Sequence, residues 1–132
     1  MSDQSPAIMR SMLGRARGLG SAKSGTAHWW AQRLTAFALV PLALWFVSAA
    51  IRLAHMSRAE VRQWAASPLV ATLLLALVLA LFHHMRLGLQ VVIEDYIHEE
   101  RPRMVWLLVM KGVTGLMGLA AVIAVLKLAL AG

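Results

Sequence analysis

Three apolar stretches limit this chain to very few folds. Residues 34–51 carry no formal charge, residues 69–82 are almost wholly Leu, Ala and Val, and residues 104–130 are interrupted only by Lys111 and Lys127. About 20 predominantly apolar residues carry a helix across the ~30 Å hydrocarbon core of a bilayer. Backbone polar groups in that medium must be satisfied within the segment, and a helix does this where a lone strand cannot. The sequence therefore reads as an all-α membrane protein with three transmembrane helices, spanning about residues 31–53, 68–97 and 104–130. The chain is 60% hydrophobic and 14% charged over 132 residues, too apolar for a soluble domain of that length.

The net charge of +7 raises nucleic acid as a partner. The basic residues flank apolar runs, however, and do not interleave with a polar fold. That pattern points to a lipid membrane and topology control, with no nucleic acid. The chain has no cysteine, which excludes thiolate-held iron–sulfur clusters, covalent haem attachment through C-x-x-C-H and disulfides. Residues 1–27 read as a basic, glycine-rich flexible tail and residues 28–132 as the three-helix anchor domain. No apolar run follows the tail closely enough for a cleaved secretory signal. Seven Lys/Arg (residues 10, 15, 17, 23, 33, 101 and 103) lie on the side of the N-terminus and four (52, 58, 62 and 127) on the other. This bias orients the N-terminus to the cytoplasm.

Local signals mark the boundaries. His28-Trp29-Trp30-Ala31-Gln32-Arg33 places amphipathic rings and a cation where the first span enters the membrane. Pro41 is expected to kink that span. Ser57 and Glu60 have the spacing of a capping box for a short interfacial helix running through Trp64. Pro68 suits the first turn of the second span, and Pro102 precedes the third. Gly112, Gly115 and Gly118 recur every three residues, a small-residue face for another helix or a flat cofactor, with helix packing the commoner use.

The chemistry concentrates at the end of the second span, in His83-His84-Met85-Arg86-Leu87-Gly88 through Asp95-Tyr96. Charged side chains inside a membrane helix cost on the order of 2.5–3.5 kcal/mol on insertion scales, so they are functional candidates by default. At ~100° per residue, His84, Gly88, Val91 and Asp95 share one stripe, and a ~1.5 Å rise sets His84 and Asp95 about 16 Å apart. A neutral imidazole at His84 is a ligand for iron, and Gly88 clears one turn on the same face. A packed, hydrogen-bonded histidine is the plain alternative. His83 lies ~100° round the helix, so the two histidines cannot grip opposite faces of one haem, and a second imidazole would come from elsewhere. Tyr96, the only tyrosine, can donate a hydrogen bond to a quinone carbonyl, and Asp95 can orient it or relay a proton. Arg86 is turned away from His84, free to pair with a partner's carboxylate or a haem propionate, or to snorkel.

The spacing His84-x-x-x-Gly88-x-x-x-x-x-x-Asp95-Tyr96, at the end of the second of three spans, resembles the small hydrophobic membrane-anchor subunit of succinate dehydrogenase, respiratory complex II. The motif His28-Trp29-Trp30-x-x-Arg33-x-Thr35-Ala36, the basic tail and Tyr96-x-His98 resemble its alphaproteobacterial branch. The resemblance covers residues from about 20 to the C-terminus. It implies that His84 is an axial ligand to haem b, with the other ligand from the larger cytochrome b anchor subunit. It implies that Tyr96 and Asp95 bind ubiquinone and that Arg33 lies near the haem propionates. A flavoprotein subunit and an iron–sulfur subunit would dock on the cytoplasmic face and pass electrons to quinone, and this chain would bind no succinate. A bacterial inner membrane follows, or a mitochondrial inner membrane. Two other readings fit parts of the chain: a cofactor-free helical scaffold or assembly protein, and a small transporter using His84, Arg86 and Asp95. Against the transporter, the sequence has no inverted repeat.

Overall fold

The computed structural model describes residues 24–130, which form four helices. They are α1 (Ser24–Leu53), α2 (Arg58–Ala65), α3 (Pro68–Tyr96) and α4 (Glu100–Leu130). Three of them, α1, α3 and α4, are long and apolar enough to cross a membrane. The expected three-span, all-helical class is the observed one. The flexible-tail reading of residues 1–23 falls outside the described residues.

Two boundaries differ from the expectation. Helix α1 begins at Ser24, inside the segment read as tail. Gly25 costs about 1 kcal/mol relative to alanine in a helix, but once the apolar span has nucleated, each further residue adds one backbone hydrogen bond. Helix α4 begins at Glu100, with Pro102 inside its first turn instead of ahead of it. The first amide groups of a helix have no intrahelical partner, so the missing proline N–H costs nothing there. The Arg103 amide already donates back to the Glu99 carbonyl at 3.1 Å. Pro41 lies within α1, and the helix continues through it.

Between the first two spans, the capping box forms as read. The Ser57 amide donates to Glu60 Oε2 at 2.7 Å, and the Glu60 amide donates to Ser57 Oγ at 3.4 Å. Hydrogen bonds from the Ser57 side chain and then its backbone hold the Glu60 carboxyl below its ordinary value. A carboxyl with a depressed pKa supports the folded cap above the ordinary carboxylate range and loses that support as pH falls through the lowered value. Ser57→Ala is expected to cost α2 about 1 kcal/mol, read as amide hydrogen exchange across residues 58–65. The helix is tied to α1 by stacking of Trp64 on Trp45, with ring centroids 6.0 Å apart and planes 21° apart. Ala65, the last residue of this helix, is fully buried.

Helix α3 is the central element, packed against α1 on one side and α4 on the other. The seam with α4 depends on Gly118, where an added Cβ would come within 3.3 Å of Phe82 Cγ. Nothing lies within 4 Å of the corresponding points at Gly112 and Gly115. One glycine of the three therefore makes the close approach. The buried core is small: Ala49, Ala65, Leu74, Leu87, Met110 and Thr114. Phe37, Leu44, Leu108 and Leu116 are 68–75% exposed, so the apolar surface faces outward, as a lipid or partner environment requires.

Candidate functional site

Three hydroxyl groups in the spans, those of Ser48, Thr72 and Thr114, share one arrangement, and Thr35 departs from it at the site. Ser48 donates to the Trp45 carbonyl at 2.7 Å, Thr72 to Pro68 at 2.8 Å and Thr114 to Met110 at 2.7 Å, each satisfied within its own helix. Thr35 does the same, with its Oγ1 2.8 Å from the Ala31 carbonyl and 3.0 Å from that of Gln32. It also reaches across the α1–α3 seam, where Oγ1 lies 3.1 Å from His84 Nδ1.

His84 is half-buried there, one of the residues lining a cavity of about 330 Å³ with Trp29, Gln32, Arg33 and Ala36. Its Nε2 makes no hydrogen bond to any described residue. Arg33 stacks its guanidinium over Trp29, 5.3 Å from the ring centroid, a contact worth about 0.5–1 kcal/mol at an exposed site. This fixes a cation on the wall of the imidazole's cavity. The space over Gly88 is bounded by Gln32, whose Nε2 would lie 3.8 Å from an added Cβ. His84 and Gly88 thus share a face, as their spacing requires, and that face meets α1.

The neighbouring histidine looks the other way. His83 and Arg86 line an open groove of about 750 Å³ between α3 and α4, together with Thr114, Gly115 and Gly118, and its edge reaches Thr35 of α1. Adjacent positions on one helix have been sent to different seams, as the ~100° rotation demands. Among the described residues, no group of three His, Cys, Asp or Glu side chains converges on a metal-binding position.

Asp95 and Tyr96 end α3 and do not join the His84 cavity. Tyr96 is 81% exposed and Asp95 is exposed beside it. Their neighbour Glu94 accepts from Gln90 Nε2 at 2.8 Å and lines a shallow cavity of about 550 Å³ with Glu100 and Arg103. His28 has a buried Nε2 with no hydrogen-bond partner among the described residues. Sequence reasoning gave no part to Gln32, and Thr35 entered only as a letter of a motif. Their spacing places Gln32, Thr35 and Ala36 on one face of α1, a signal that becomes useful only when that face is known to meet His84.

Fold and site together define a multi-span helical membrane protein that presents one imidazole and one guanidinium in a seam between two spans. The chain belongs to the succinate dehydrogenase/fumarate reductase transmembrane subunit family, which matches residues 7–129. Within it, the chain is a membrane-anchor subunit, a multi-pass protein of the inner membrane. It is similar to the succinate dehydrogenase hydrophobic membrane anchor subunit of Rickettsia bellii (strain RML369-C), 41% identical over 90 residues covering 67% of this chain and 70% of that one. The same-named subunit of Rickettsia conorii (strain ATCC VR-613 / Malish 7) is 36% identical over 91 residues, 67% of this chain and 71% of that one. The succinate dehydrogenase membrane anchor subunit of Reclinomonas americana is 34% identical over 86 residues, 63% and 72% of the two chains. No solved structure gives a significant match.

Proposed function

We propose that this chain serves succinate:quinone oxidoreductase as the subunit that helps bind haem b and ubiquinone and passes electrons from the iron–sulfur subunit to quinone. The observation that carries the reading is the His84 imidazole, inside an apolar span, with Nε2 unengaged among the described residues and Arg33 on the same cavity wall. Those residues fit a haem that the His84 imidazole would help hold and whose propionate the Arg33 guanidinium would pair with, the remaining protein ligand coming from a larger cytochrome b anchor. When bound, that haem supplies a one-electron carrier between clusters and quinone.

Quinone reduction to quinol takes up two electrons and two protons. Tyr96 donates its O–H to a quinone carbonyl, and Asp95 orients the phenol or hands on a proton. Their exposure at the end of α3 leaves them open to water and to a partner subunit. The charge bias orients this end to the cytoplasm, where the flavoprotein and iron–sulfur subunits dock. Succinate is oxidised on those subunits and not on this one.

The test is a reduced-minus-oxidised optical spectrum of the complex purified through a tag on this chain, with its subunits counted. A b-type band together with a flavoprotein, an iron–sulfur protein and a second anchor supports the reading. A colourless, solitary chain puts the scaffold in its place. Tyr96→Phe is expected to slow quinone reduction about tenfold, since a lost hydrogen bond of ~1 kcal/mol is compounded by loss of a proton donor. Succinate oxidation with an artificial acceptor should be unchanged in the same preparation.

A further inference from the structure

The hydrogen count at Thr35 bears on which nitrogen of His84 carries a proton. A threonine hydroxyl has one hydrogen to give. Here Oγ1 stands 2.8 Å from the Ala31 carbonyl oxygen and 3.0 Å from that of Gln32, two acceptors that hold no hydrogen of their own. The shorter contact has the length of an O–H···O bond, which directs the hydroxyl hydrogen toward the Ala31 carbonyl. What remains on Oγ1 is a lone pair, and it faces His84 Nδ1 at 3.1 Å. A lone pair there is satisfied only by an N–H. We infer that Thr35 is a positioning residue that holds His84 in its Nδ1-protonated tautomer, leaving the Nε2 lone pair as the nitrogen available to a metal.

This deepens the haem reading and rests on it. A ligating histidine ordinarily donates its second ring N–H to an acceptor that sets tautomer and ring plane and raises the basicity of the ligating nitrogen. In a bilayer no water competes for that role, so the acceptor must come from the protein. The hydroxyls of Ser48, Thr72 and Thr114 spend their hydrogen on their own helix. Thr35 is anchored by α1 and serves α3, so the ring's orientation is set by the packing of the two helices.

The test uses the whole complex carrying Thr35→Val, Thr35→Ser or His84→Ala, with flavin content reporting assembly. Valine keeps the shape of threonine and removes the acceptor, so haem per flavin during detergent washing should correspond to about 10–100-fold weaker binding. The haem midpoint potential should rise, because an imidazole without its acceptor is a weaker donor to ferric iron. The low-spin ferric electron paramagnetic resonance signal should shift with it. Thr35→Ser keeps the hydroxyl and should restore all three readouts. If Thr35→Val does not assemble, Thr35→Ala enters the same assay with the same expectation. His84→Ala without haem beside Thr35→Val indistinguishable from the parent overturns the role of Thr35 alone. Full haem in His84→Ala overturns the ligand reading beneath it. A serine variant that behaves like valine shows that the hydroxyl acceptor does not restore haem binding, and also overturns the inference.

Discussion

His84→Ala is expected to remove the b-type absorbance from a complex that still contains its flavin. The imidazole supplies a bond to the metal itself, so its loss should exceed the ~10–100-fold that changes in outer-shell partners cost. Assembly should survive in part. His84 is half-buried and its one described hydrogen bond is to Thr35, which keeps its bonds to the α1 backbone without it. The measurement is haem per flavin by pyridine haemochrome beside the reduced-minus-oxidised spectrum. Haem at the parent ratio would show that iron is held by other residues. His83→Ala is the matched control: it changes the adjacent imidazole, which lines the α3–α4 groove, and should retain haem.

Gly118→Leu should be the most damaging change to the fold. A Cβ at this position already lies 3.3 Å from Phe82 Cγ and 3.5 Å from Phe82 Cβ and Cδ1. Leucine adds three further carbons to that contact, and Phe82 sits on the central helix that joins the other two spans. Overpacking of this kind costs about 1–3 kcal/mol. The expected result is a lower thermal denaturation midpoint in detergent and a lower yield of assembled complex. Gly112→Ala, in open space, should change the midpoint of the same preparation little, within about 0.5 kcal/mol.

How much was legible beforehand differs by element. The spans follow from hydropathy because a bilayer imposes one demand on every residue of a segment, whatever its neighbours. The capping box at Ser57 and Glu60 was legible because both partners lie within one turn. Helices α1 and α4 begin a few residues ahead of the spans that hydropathy marks, at Ser24 and Glu100. Gly25 and Pro102 carry local penalties that a long helix overrides at its first turn. The glycine repeat in α4 offers a small-residue face, yet of its three glycines only Gly118 meets a neighbour within 4 Å, because the contact depends on where Phe82 comes from α3.

The sequence by itself determined the class of protein, the three spans and the separation of His83 from His84, and it singled out His84, Asp95 and Tyr96 as candidates, with Arg33 added only by the family resemblance. Arg33 apart, each of these rests on period, length or residue chemistry within one helix, which is local information. The tertiary structure decided that the His84 face meets α1, that Thr35 is hydrogen-bonded to its imidazole, and that Arg33 shares its cavity while Asp95 and Tyr96 stand apart at the helix end. A hydrogen bond between residues 35 and 84 depends on the rotation and depth of two helices relative to each other. In a lipid medium close fit and polar pairing set that docking, and the hydropathy pattern carries almost no record of either.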